Sequence, residues 1–130
     1  MRTHQTHKAF TLVELVMVIV IIGLLAAVVV PKFGDMRSEA QTAAESGTVA
    51  AVRTGIKLAH MTSLTKGSDT YPGTLDSAVN GKASEKNPFF TEVIEDGVTD
   101  SNWEKGDATT YAYTPTGTKY VYDKAKGTFK

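Results

Sequence analysis

One acidic side chain stands where hydrocarbon is expected. Glu14 lies at the start of an apolar stretch, after Phe10-Thr11-Leu12-Val13, and the sixteen residues from Leu15 to Val30 carry no charge and no polar side chain. A carboxylate at bilayer depth is costly unless it finds a partner, which makes it a functional candidate. One reading is structural: near a helix start, Glu14 snorkels to the headgroups or rests in the favourable field of the helix N-terminus. The other needs a cation at the same depth. A cut just before Phe10 would supply one, an α-amine one helical turn from Glu14. A second acidic group, Glu95, Asp96, Asp100, Asn102, Glu104 and Asp107, falls within thirteen residues. Calcium takes oxygen ligands from such loops, with Asp96, Asp100 and Asp107 as candidates, but the spacing does not match an EF-hand. A solvated turn region is the simpler reading, and no cofactor is expected.

Other chemistry is poorly supplied. The 130 residues contain no cysteine, which excludes disulfides, zinc–thiolate sites and cysteine nucleophiles. Beyond residue 9 the only histidine is His60, set among helix residues, with no Ser/His/Asp arrangement, metal-ligand cluster or phosphate-binding glycine loop around it. An enzyme is not expected. Fourteen Lys and Arg balance fourteen Asp and Glu, so no basic excess points to nucleic acid.

The element that positions Glu14 is the apolar run. Residues Phe10 to Val30 would form a helix roughly 30 Å long, about the thickness of a bilayer's hydrocarbon core. Upstream lies MRTHQTHKA, polar and basic without an acid, like the leading region of a targeting signal. The run ends in bulky Val28-Val29-Val30-Pro31-Lys32-Phe33 rather than a small-residue cleavage site, with Ala26-Ala27 a weaker alternative cut, so it reads as retained. Arg2 and Lys8 on one side nearly balance Lys32 and Arg37 on the other, and the N-terminal amine tips the leader toward the cytoplasm. Pro31 cannot donate to Ala27, and Gly34 is a second weak point. A break or irregularity is therefore expected between Gly23 and Gly34.

The stretch Lys8-Ala9-Phe10-Thr11-Leu12-Val13-Glu14-Leu15, the apolar helix after it and Pro31 resemble the N-termini of type IV pilins and of their type II secretion relatives, the pseudopilins. The resemblance is specific over residues 8 to 31 and weak beyond them. It implies that a prepilin peptidase cuts between Ala9 and Phe10 and N-methylates Phe10. It also implies that Glu14 pairs with the Phe10 amine of a neighbouring subunit during assembly. Ala9 departs from the glycine usual before the cut. Physically, an unpaired Glu14 penalises the isolated state, and pairing would set the register between helices, like a single buried polar residue in a coiled coil.

From Asp35 to about Thr62 a helical period returns. Met36, Ala40, Ala43, Gly47, Ala50, Thr54, Leu58 and Met61 form one stripe, Val49, Val52, Ile56 and Ala59 an adjacent one, and Arg37, Glu39, Glu45, Arg53 and Lys57 the opposite side. A loop over residues 65–73 follows, then a short helical turn from Thr74 to Asn80 closed by Gly81. Asn87-Pro88 opens a second short helix ending near Gly97, with Phe89 and Phe90 anchoring it in the core. Residues 109–114 and 118–122, around Pro115-Thr116-Gly117, read as a hairpin, and 128–130 as a further strand. The expected fold class is α+β: a long N-terminal helix, half membrane-spanning and half amphipathic, packed on a small antiparallel sheet of three or four strands, pilin-like by resemblance. The expected divisions are a leader (1–9), a membrane or filament-core helix (10–31), an amphipathic helix (32–62) and a small globular domain (63–130).

The expected function is that of a structural subunit of a type IV filament. It would be held in a bacterial inner membrane with its C-terminal domain outside the cytoplasm, then polymerised into a periplasmic or cell-surface filament. Its partners would be copies of itself or related pilins, the prepilin peptidase, membrane assembly machinery and the lipid bilayer. The lack of a C-terminal disulfide leans toward a pseudopilin or minor pilin, with a major type IV pilin as the alternative. A membrane-tethered binding module that does not polymerise is the second alternative; it would leave Glu14 without a partner.

Overall fold

The computed structural model describes residues 9–130, so the leader expected over residues 1–9 lies outside the described residues except for Ala9. The chain divides into two compact units between Glu39 and Ala40. Among the described residues one helix, α1 (Leu12–Thr65), supplies the helical structure, and five strands follow: β1 (Gly81–Lys82), β2 (Trp103–Lys105), β3 (Thr110–Tyr113), β4 (Thr118–Asp123) and β5 (Thr128–Phe129).

In the first unit, α1 is apolar over its whole circumference and exposed, from Leu12 to Val30 and on to Phe33 and Met36. Its most apolar window reaches a mean hydropathy of 3.1, and by length and composition the helix can cross a membrane. The break expected between Gly23 and Gly34 is absent: α1 runs through Gly23, Pro31 and Gly34. Proline removes a single donor, and the cooperative hydrogen bonding of full turns on both sides carries the helix past that gap.

In the second unit, the sheet is an antiparallel meander in the order β1-β2-β3-β4-β5. Strand alternation sends Trp103, Tyr111, Tyr113, Tyr122 and Phe129 inward, where they meet Val49, Val52 and Ile56 of α1 together with Leu75, Ala83, Phe89 and Phe90. Of the two stripes on the amphipathic half, only the Val49, Val52, Ile56 stripe is buried. Ala43, Gly47, Ala50, Thr54, Leu58 and Met61 are exposed. A helix lying on one small sheet covers a single narrow face, and the larger β-branched side chains win it. Gly55 instead meets the turn that carries Val93, since a Cβ there would fall 2.0 Å from the Val93 carbonyl oxygen.

Two expected elements are replaced. Neither residues 74–80 nor 87–97 form a helix. In the first, the Asp76 side chain accepts from the Ala78 N–H at 3.1 Å and from the Phe90 N–H at 3.0 Å, drawing the backbone away from helical pairing. In the second, Asn87 is no helix cap. Its amide braces the preceding loop, accepting from the Val79 N–H and donating to the Val79 and Lys82 carbonyls. Phe90 takes a left-handed φ of 62°, and the Val93 and Ile94 N–H groups bond its carbonyl in a single tight turn. Phe89 and Phe90 are nonetheless fully buried, as the sequence predicts. Strands β1 and β2 are additions to the expected sheet; two or three residues are too few for an alternating pattern to announce them.

Candidate functional site

Glu14 sits on the third residue of α1, and the local chemistry is reciprocal. The Thr11 N–H donates to Glu14 Oε2 at 2.9 Å, and the Glu14 N–H donates to Thr11 Oγ1 at 3.2 Å. This is a capping box, which satisfies two of the orphan donors at a helix start. Its signal, threonine followed three residues later by glutamate before an apolar run, is written in the sequence. The cap uses one carboxylate oxygen. Oε1 has no donor among the described residues, and an ionised carboxylate accepts up to about four hydrogen bonds. Around Glu14 the surface is made by Phe10, Leu15, Met17 and Val18. Ala9 and Phe10 precede the helix and are exposed, Phe10 at 90%. A cut between them would leave Thr11 and Glu14, and so the cap, in place.

The three candidate calcium ligands do not converge. Asp100 Oδ1 accepts from the Asn102 N–H, and Asp107 Oδ1 accepts from the N–H groups of Thr109 and Thr110 and from the Thr109 hydroxyl. These hydrogen bonds hold the Asp107 carboxyl below its usual range, the Thr109 backbone contributing most. Among the described residues no group of three or more metal-ligating side chains is gathered. Asp100 and Asp107 build turns.

The polar chemistry that the sequence reading missed lies inside the second unit. Asp76 and Lys105 form an ion pair whose side chains are 0% and 5% exposed. Asp76 Oδ2 also accepts from the Tyr111 hydroxyl at 2.8 Å, and Lys105 Nζ donates to the Ala78 carbonyl at 2.9 Å. The signal was the strand period: with Trp103 inward, residue 105 of the same strand must point inward too. Burial first, then the hydrogen bond to Asp76, pushes the Tyr111 phenol far above its ordinary value. Glu45, read from sequence as part of the solvated side, is buried and accepts from the Tyr120 hydroxyl at 2.7 Å. Desolvation raises its pKa, but hydrogen bonds from Tyr120, Thr116 and Thr118 together outweigh it, and the net shift is downward. Tyr120, desolvated and donating to that carboxylate, is pushed up to about 12. No buried polar side-chain atom among the described residues lacks a partner. These groups hold the domain together.

The chain thus joins a long apolar helix, opened by a capped glutamate, to an antiparallel α+β domain. Residues 5–30 match the family described as the prokaryotic N-terminal methylation motif. Over 52 residues the chain is 50% identical to the type IV narrow pilus major component of Thermus thermophilus, covering 40% of this chain and 45% of that protein. Over 55 residues it is 48% identical to the type IV major alpha-pilin of Moraxella bovis, covering 42% of this chain and 35% of that protein. A fimbrial protein of Pseudomonas aeruginosa is 36% identical over a stretch of the same length. The chain thus spans less than half the length of these relatives. It carries the prepilin-type N-terminal motif, and the relatives are pilus proteins, not enzymes. No solved structure matches.

Proposed function

We propose that this chain is a structural subunit of a type IV filament, cut between Ala9 and Phe10, N-methylated on Phe10 and polymerised from the inner membrane through α1. The observation that carries the reading is Glu14: an acid at the head of an apolar helix, already fixed in orientation by its cap, with one oxygen free among the described residues for a neighbour's amine. Lipid and a packed helical core are about equally apolar, so packing and a polar contact of this kind must supply the preference for association. A second support is the stripe from Ala43 to Met61, which the chain's own sheet leaves exposed. Neighbouring copies, a prepilin peptidase and membrane assembly machinery are the partners this requires.

The relatives' printed names favour a major pilin, while the absence of cysteine favours a type II secretion pseudopilin or minor pilin. Genomic neighbourhood, a pilus or a secretion operon, separates the two. The polymerisation reading itself is tested by Glu14→Leu. The variant inserts in the membrane and is processed but yields no filaments; intact filaments in its presence refute the reading. Mass measurement of the wild-type protein finds residues 1–9 missing and one methyl group added.

A further inference from the structure

Among the charges of the second unit that make no ion pair among the described residues, two sets are clustered. Arg53, Lys57 and Lys130 line one cleft of about 210 Å³ together with Gly127, Thr128 and Phe129. Among the described residues the ion pairs are His60–Asp69, Lys105–Asp76 and Lys126–Asp123, so none of these three cations meets a carboxylate. The cleft is built, not incidental. The Arg53 Nε–H donates to the Phe129 carbonyl at 2.9 Å, which fixes the guanidinium against β5, the last strand of the meander. Gly127 at φ +61° presses against the Tyr71 ring, where a Cβ would fall 2.2 Å from ring carbons. Charge at the site is therefore held on a rigid edge, with only the Lys57 and Lys130 ends free to move.

The second set is Glu92, Glu95 and Asp96, all exposed and none in an ion pair among the described residues. They lie on the turn between Phe89 and Val98, whose bridge closes it. That turn meets α1 at Gly55, through Val93, and Glu92 borders a cleft with Ala59 and Ser63. At 100° per residue, Gly55 and Arg53 point about 160° apart on a helix, and Lys57 returns to the Arg53 side. The acidic turn and the basic cleft thus meet α1 on different faces.

We propose that the Arg53, Lys57, Lys130 cleft receives the Glu92, Glu95, Asp96 turn of an adjacent copy. This rests on the filament reading and deepens it by naming a lateral contact between globular domains. Charge complementarity selects the occupant: three cations gathered at one cleft match three acids gathered within five residues of one turn. Joining unlike flanks makes a heterologous contact, which propagates into an open helical array unless its rotation closes a ring. Like flanks repel, which discourages a two-fold dimer and fixes the direction of stacking.

The test uses the full chain in cells that assemble it. Lys57→Glu with Lys130→Glu leaves the Arg53–Phe129 bond intact; Glu92→Lys with Glu95→Lys changes only exposed side chains. Each pair alone is expected to lower surface filament number about ten-fold or more, while all four reversals in one chain restore it. Thermal melting of each purified variant within a few degrees of wild type excludes misfolding as the cause. A cross-linking arm needs no charge change. Because the chain has no cysteine, Lys57→Cys with Glu95→Cys should give a ladder of disulfide-linked oligomers on oxidation. Filaments unchanged by either reversal, failure of the four-fold variant to recover, or monomers alone on the gel would overturn the proposal. So would intact filaments that lose only duplex DNA retention, since the cleft would then serve a polyanion. If Glu14→Leu blocks assembly while the reversals do nothing, the lateral contact fails and the filament reading stands. If Glu14→Leu assembles normally, the filament reading fails.

Discussion

Replacing Asp76 with alanine removes the acceptor of four hydrogen bonds at once, those from Lys105 Nζ, the Ala78 N–H, the Phe90 N–H and the Tyr111 hydroxyl. The Lys105 ammonium is then stranded in a site where its side chain is 5% exposed. Breaking a buried pair from one side costs about 3–5 kcal/mol, because an uncompensated charge is left behind. The Phe90 N–H loses the bond that helps hold its left-handed backbone. A domain of this size has about 5–15 kcal/mol in total, so Asp76→Ala brings it close to unfolding at ambient temperature. Lys105→Met is expected to be milder, about 1–3 kcal/mol, since Asp76 keeps three neutral donors and the methionine fills the space of the lysine stem. Trp103 is the one tryptophan and is 1% exposed, so its fluorescence reports on this core directly. Urea titration of the full chain in detergent measures both variants. A loss below about 1 kcal/mol for Asp76→Ala, or a larger loss for Lys105→Met, would refute the view that the carboxylate organises the site.

Three further outcomes follow from the same structure. Because the Glu45 carboxyl is held below its usual 4.5 in the folded state, it stabilises the fold above that pH and loses the contribution as pH falls through the folded value. The stability gap between wild type and Glu45→Gln, followed by melting temperature, should be constant at neutral pH and shrink on acidification; a gap that grows in acid contradicts the assignment. Gly55→Ala places a methyl 2.0 Å from the Val93 carbonyl oxygen and should cost about 1–3 kcal/mol as the 91–97 turn shifts, whereas Gly47→Ala, with open space around it, should be neutral or slightly stabilising on denaturation. Thr11→Val removes the cap hydroxyl at a cost of about 1 kcal/mol, read as faster amide exchange over the first turn of α1 in micelles. Filaments should still form, unlike those of Glu14→Leu; equal loss of assembly in both would mean that the cap, not the free oxygen of Glu14, is what assembly needs.

Local signals declared the apolar helix. A run of apolar side chains needs no tertiary partner to announce itself, because its composition and length already suit a helix able to cross a bilayer, and a lone acid within it is conspicuous for the same reason. The hairpin around Pro115-Thr116-Gly117 was equally local, since the alternation of Tyr111 with Tyr113 and of Tyr120 with Tyr122 survives into the folded core. What the chain could not announce were outcomes of competition. Two helix stripes were available and the sheet had room for one; Glu45 looked solvated until Tyr120 arrived from 75 residues away; residues 74–80 looked helical until Asp76 bonded Phe90, Lys105 and Tyr111 instead. Such choices depend on which groups the fold brings together, and desolvation makes them decisive only once burial has occurred. The amino-acid order therefore determined the apolar helix, its acid and the C-terminal hairpin, and tertiary packing alone decided which polar side chains are enclosed and which helix face is left exposed.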